Sequence, residues 1–138
     1  MSDTTRFSVS MGADLLQDFD HYCGQRGYAN RSEAVRDLIR DALVEDIGAR
    51  EGEVVAGTLT LVYDHHTSDL SQRLTSAQHD AHHLILSTLH VHLDHDNCLE
   101  VLALRGKSTD VKTFAERILA VKGVKHGKFV LTATGKEF

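Results

Sequence analysis

Residues 6–11, Arg-Phe-Ser-Val-Ser-Met, alternate polar and apolar side chains with period two, the pattern of a short half-buried strand. Phe7, Val9 and Met11 would face a core, and Arg6, Ser8 and Ser10 would face out. After Gly12 the period changes: Leu15, Leu16, Phe19, Tyr22 and Cys23 recur at helical spacing, with Gly27 as the stop. Asn30 with Glu33 three residues on resembles a capping box, and Val35, Leu38, Ile39, Ala42 and Leu43 stripe a second helix. The first 48 residues therefore read strand–helix–helix. A lone strand leaves a row of backbone groups unpaired, and nothing else before residue 50 can pair with it. Two short helices also make too small a core. The simplest remedy is an intertwined dimer, with the two strands paired antiparallel and Arg6, Ser8 and Ser10 presented twice about a two-fold axis.

Gly48-Ala49-Arg50-Glu51-Gly52-Glu53 reads as a linker. Residues 53–138 then follow the order βαββαβ. The strands are expected at Val54–His65, Leu84–Leu93, Cys98–Leu104 and Val124–Ala133, and the helices at Ser68–Ala81 and Thr109–Val121. That order is ferredoxin-like, with four antiparallel strands and two helices on one face. The chain is thus an α+β protein of two small domains, residues 1–48 and 53–138.

The 138 residues are 41% apolar and 25% charged, the balance of a globular protein, and no apolar run approaches the ~20 residues that cross a bilayer. The polar start, MSDTTRFSVS, lacks the apolar stretch of a signal peptide and points to the cytoplasm. The net charge of −5 argues mildly against nucleic acid. All six basic residues before residue 51 are nevertheless arginines, suited to bidentate phosphate and guanine contacts.

Eight of the ten histidines lie between His65 and His95. In Thr88-Leu89-His90-Val91-His92-Leu93 the two imidazoles are two apart and share a strand face. A three-residue loop, Asp94–Asp96, would set Cys98 opposite His92 on that face, giving three donors from one hairpin. Such histidine pairs are often plain solvated surface. As ligands, imidazoles and a thiolate suit tetrahedral zinc or square-planar nickel or copper. Spacing leaves the fourth donor open among His79, His82, His83, His65 and His66, and also leaves open whether it comes from the same chain. Cys23 belongs to the core, and His21 and His126 have no clustered partners.

Three segments occur together: the Arg6-x-Ser8-x-Ser10 ribbon; Arg26-Gly27-Tyr28-Ala29-Asn30-Arg31-Ser32-Glu33-Ala34-Val35-Arg36-Asp37; and Gln78-His79…Thr88-Leu89-His90-Val91-His92…Cys98-Leu99-Glu100. The combination resembles the nickel-responsive transcriptional regulators (the NikR family) from Arg6 to about Phe129. The resemblance implies a ribbon–helix–helix DNA-binding domain and an ACT-like domain that forms a homotetramer, a dimer of dimers. It implies one square-planar Ni(II) per subunit, held by His90, His92 and Cys98 of one chain and His79 of a neighbour, with Glu100 behind the ligands. It assigns base reading to Arg6, Ser8 and Ser10, in a family where threonine often stands at the serine positions. The start of the second helix (Asn30, Arg31, Ser32) would hold phosphates, and a weaker cation would sit at Glu33 and Asp37. His65 matches an accessory metal position. Where relatives carry consecutive histidines, this chain reads His79-Asp80-Ala81-His82-His83, which bears on accessory metal there. The implied function is nickel-dependent repression of nickel-uptake genes at a palindromic operator on double-stranded DNA, with no enzyme activity and no membrane partner. The rivals are a regulator sensing another ligand through its ACT-like domain, a metal buffer, and a small metalloenzyme. Four protein ligands would leave that enzyme no open position for substrate.

Overall fold

The computed structural model describes residues 3–67 and 69–138. Chain compactness divides it into two units, one ending at Asp41 and the other running from Ala42 to Phe138.

In the first unit, α1 spans Ala13–Gln25 and α2 begins at Arg31. Gly27 ends α1 in the left-handed region (φ 74°), with the Tyr28 amide bonded back to the Cys23 carbonyl at 3.1 Å. Cys23 of α1 and Ala34 of α2 are buried. Residues 6–11 differ from the expected strand: they are assigned no strand and lie exposed, with Phe7 68% and Val9 63% accessible. The reason is physical, since a strand is a pairing and a single chain offers these residues no partner.

The expected domain boundary lay at residue 48, whereas the compact units meet at Asp41/Ala42, inside α2 (Arg31–Gly48). The last turns of α2 are tied into the second unit. Ile47 joins its core, and the Gly48 carbonyl accepts from Ser108 Oγ at 2.7 Å and from Lys112 Nζ. Those two donors satisfy a helix-end carbonyl that has no partner within the helix.

The second unit runs β1 (Val54–Asp64), α3 (Leu70–Asp80), a 3-10 turn at His82–Leu84, β2 (Ile85–His92), β3 (Asn97–Lys107), α4 (Ser108–Leu119) and β4 (Val124–Thr132). This is the βαββαβ order expected from the sequence. Ser68, where the first helix was expected to begin, lies outside the described residues. The strands form an antiparallel sheet ordered β2-β3-β1-β4. β1 alternates buried and accessible positions along its length. Leu59 and Leu61 of β1 with Leu102 and Leu104 of β3 face a helical layer built from Leu70 and Leu74 of α3 and Val111, Phe114 and Ile118 of α4. The opposite sheet face carries Leu89, Val91, Leu99, Val101 and Val130, and Leu89 and Val130 are more than half accessible. No described helix is long and apolar enough to cross a membrane.

Candidate metal centre

The β2–β3 hairpin sets the site. His90 pairs with Glu100 and His92 with Cys98, and directly opposed residues share a face, so all four side chains stand on the helix-bearing side. The loop is Asp94–Asp96, closed by the Leu93 amide on the Asn97 carbonyl at 2.8 Å, the three-residue length expected to set Cys98 opposite His92. Asp94 builds that turn, as Oδ1 accepts from the amides of Asp96 (2.9 Å) and Asn97 (2.8 Å) and from Asn97 Nδ2 (3.1 Å). The Asn97 side chain, followed by those two amides, holds the Asp94 carboxyl below its ordinary range.

Cys98 is fully buried. Its Sγ lies 3.5 Å from His92 Nδ1 and 3.3 Å from His65 Nδ1. Burial, then the charges of Glu100, Asp64 and Asp94, push the thiol above its usual range. His65 reaches the thiol because its backbone amide is anchored to the Asp96 carbonyl at 3.1 Å. Among the described residues, the tightly grouped donors here are therefore His65, His92 and Cys98. His90 is not in that group. It sits beside Glu100, with Nδ1 3.4 Å from Tyr63 Oη and 3.9 Å from Glu100 Oε2.

Glu100 is the buried charge of the unit. It accepts from Tyr63 Oη at 2.8 Å and from Gln78 Nε2 at 2.6 Å, so its desolvation is offset by two direct bonds. Desolvation first and the Glu100 bond second raise the Tyr63 phenol well above its ordinary value, so Tyr63 stays a donor. Sequence reading missed Tyr63 and Gln78. Their only signals were an inward-facing tyrosine on β1 paired with Cys98, and a glutamine beside His79. His79 itself is exposed on the last turn of α3, its ring 6.1 Å from that of His82, and it joins no donor group with Cys98 in its own chain. An imidazole pair and a thiol within 3.3–3.5 Å form a borderline-to-soft donor set of the kind nickel takes, and His90 stands on the same strand face.

In the first unit, Asn30 caps α2 by accepting the Glu33 amide at 3.0 Å. Arg31 is engaged bidentately by Asp20, Nε to Oδ1 at 2.7 Å and Nη2 to Oδ2 at 2.8 Å, a partner the sequence did not suggest. Arg6, Ser8, Ser10 and Ser32 are exposed. Glu33 and Asp37 form no donor group among the described residues. Asp37 instead accepts from Tyr28 Oη at 2.9 Å and from Arg40 at 3.4 Å.

Residues 56–132 match the family described as the NikR C terminal nickel binding domain, which is more than half of the chain. The chain belongs to the nickel-responsive regulator family. Residues 5–46 match a second family description, ribbon-helix-helix protein of the copG family. Nickel-responsive regulators named from Solibacter usitatus (58% identical), Nitratidesulfovibrio vulgaris strain Miyazaki F (56%) and Geobacter metallireducens (56%) align over 137 residues each, covering 99% of this chain and 99% of theirs. Within this family frame, the second unit carries the thiol–imidazole site, and the first carries the exposed Arg6–Ser10 arm.

Proposed function

We propose that this chain holds one Ni(II) per subunit in a square-planar set of His90, His92 and Cys98 with His79 from a neighbouring chain, and that the ion selects a DNA-binding geometry. As a member of the family the chain is a nickel-responsive transcription regulator and not an enzyme. The observation that carries the ligand assignment is the division of donors. The buried Cys98 thiol has His92 at 3.5 Å and His90 on the same strand face, while His79 stands exposed and away from them in its own chain. A bond from His79 to another chain's ion would make coordination depend on how two subunits pack. A ligand shifts a conformational equilibrium only through such differential binding.

Ligand orientation follows from the carboxylate behind the site. Glu100, steadied by Tyr63 and Gln78, sits beside His90 Nδ1 and favours the tautomer that leaves Nε2 for the ion. Gln78 adjoins His79, so the same carboxylate steadies the end of α3 that presents the cross-chain ligand. His65, now on the thiol, would serve as an accessory donor before that set closes.

Two uncovered apolar surfaces support a homotetramer built as a dimer of dimers. One is the sheet face with Leu89, Val91 and Val130. The other is in the first unit, where Phe7 and Val9 of the arm and Leu15 and Leu38 of the helices are all exposed. Pairing of two arms would complete a ribbon that places Arg6, Ser8 and Ser10 in the major groove of double-stranded DNA. Serine keeps a hydroxyl for base edges and lacks the methyl of threonine that contacts thymine. Asn30, Arg31 and Ser32 would then face phosphates at the start of α2, with Arg31 exchanging Asp20 for the backbone. Two-fold symmetry of the ribbon calls for a palindromic operator, and the output would be repression of nickel-uptake genes in the cytoplasm. A second, weaker cation at Glu33 and Asp37 would have to displace Arg40 from Asp37.

Subunit mixing tests the cross-chain ligand. His79→Ala and Cys98→Ala proteins each lose the nickel–thiolate absorption. Co-refolding them should restore it, because the His79→Ala chain supplies the triad and the Cys98→Ala chain supplies His79. A silent mixture, with wild-type protein recovering under the same protocol, would refute the assignment. A nickel-free regulator sensing another ligand would bind its operator equally with and without the metal.

A further inference from the structure

The thiol site leaves a second group of histidines unused. His66 follows β1, and His95 and Asp96 form the tip of the β2–β3 hairpin. Their donor atoms lie within 4.8 Å of one another. His95 Nδ1 is 3.1 Å from Asp96 Oδ1, and His66 Nε2 is 3.5 Å from the same oxygen. Donors bound to one ion at about 2.0–2.2 Å stand about 3.0–3.5 Å from each other, so these contacts already have the span of a coordination sphere. We propose that His66, His95 and Asp96 form a second, solvent-facing site for a divalent transition-metal ion, separate from the thiol site and binding more weakly.

The two loops are held in place before any ion arrives. The His66 amide is bonded to Asp64 Oδ1 at 2.8 Å, the His65 amide to the Asp96 carbonyl at 3.1 Å, and the Asp96 amide to Asp94 Oδ1 at 2.9 Å. Closing the site therefore costs side-chain rotamers and little backbone entropy. Lys125 Nζ is taken by Asn97 Oδ1 at 2.6 Å, which leaves the Asp96 carboxylate to the imidazoles. His66 Nε2 also lies 3.2 Å from the His95 carbonyl oxygen and would exchange that contact for the ion.

The donor types set the class of ligand. Two imidazoles and one carboxylate suit nickel, copper, cobalt or zinc, whereas magnesium and calcium want a mainly oxygen sphere, of which this group supplies one carboxylate. Three protein donors leave the remaining positions to water. The absence of a thiolate and the exposure of all three side chains make the site weaker and its ion more exchangeable than at Cys98. Position gives it a consequence. The site bridges the β1–α3 loop to the hairpin tip between His92 and Cys98. The His66 ring also lies against that of His65, centroids 3.9 Å apart, and His65 in turn touches the thiol. An ion at the outer site braces the loops on either side of Cys98.

The inference stands without the cross-chain assignment, and its test reads a different signal. Full-length apo-protein is titrated with Ni(II) in a non-coordinating buffer, with bound metal measured by equilibrium dialysis. The expected result is a first equivalent with thiolate absorption and a weaker second one without it. The second, paramagnetic ion should broaden the NMR signals of His66 and His95. His95→Ala and Asp96→Asn should each weaken the second equivalent at least tenfold and leave the thiolate band of the first unchanged. A second equivalent that survives both substitutions and leaves His66 and His95 unbroadened places the ion elsewhere, among His79, His82 and His83 or at Glu33 and Asp37, and overturns the proposal. Finding no second equivalent up to millimolar nickel overturns it equally, and then the His95–Asp96 contact is a hydrogen bond only. Loss of the thiolate band in wild-type protein would bear on the primary site and leave the outer one to be read by its broadening.

Discussion

Tyr63→Phe removes one hydroxyl and keeps the ring, so its effect isolates the bond to Glu100. That carboxylate is 5% exposed and has two direct donors, Tyr63 at 2.8 Å and Gln78 at 2.6 Å. A hydrogen bond to a charged group contributes about 1.5–3 kcal/mol, and leaving a buried acceptor short of a donor puts the cost in that range. The apo-protein should lose about 1.5–3 kcal/mol, read as a lower urea midpoint with an unchanged slope at fixed protein concentration. Because Glu100 stands behind His90, nickel affinity should also fall about 10–100-fold, the usual effect of losing a partner behind a metal ligand. Chelator competition, following the nickel–thiolate band, measures that fall. A midpoint shift below about 0.5 kcal/mol together with affinity within about twofold would refute the reasoning. A stability loss with unaltered affinity would refute only the link from Glu100 to the ion.

Val9→Asp should abolish the pairing of the N-terminal arms. Val9 is 63% exposed in one chain, and its burial in a ribbon contributes about 1.5–3 kcal/mol per copy. Sedimentation should show a smaller assembly and DNA binding should disappear, with the nickel–thiolate band retained. Gly57→Ala should destabilise the second unit by about 1–3 kcal/mol in urea unfolding. An added Cβ would lie 2.8 Å from Phe129 Cε2 and 2.8 Å from the Val130 carbonyl oxygen. Nickel binding should weaken on acidification. The Cys98 pKa is raised by burial and nearby carboxylates, so the apo-protein carries a thiol at neutral pH and the ion must expel its proton. Proton release measured calorimetrically in two buffers of different ionisation heat checks this, and no release would contradict a thiolate ligand.

Much of the second unit was legible along the chain because its signals are periodic. Alternation in β1 and the helical stripe of α4 reflect which side chains a sheet with one covered face must bury. Parity asked only for an odd loop or a bulge to bring Cys98 to the face of His92, and the three-residue loop is the odd length the chain adopts. The arm at residues 6–11 was also read correctly as alternating, yet it is no strand in a single chain. Periodicity records the environment that a sequence suits, and pairing requires a partner. By itself, then, the sequence determined the order of elements, the need for a second chain at the N-terminus, and the strand face shared by His90 and His92, which Cys98 joins through the loop length. Tertiary structure alone decided which groups meet across long stretches of chain. It put His65 on the Cys98 thiol from 33 residues away, Tyr63 and Gln78 on Glu100, Asp20 on Arg31, and His66 against the hairpin tip. Those meetings depend on sheet order and loop path, which set distances between residues that no local period relates.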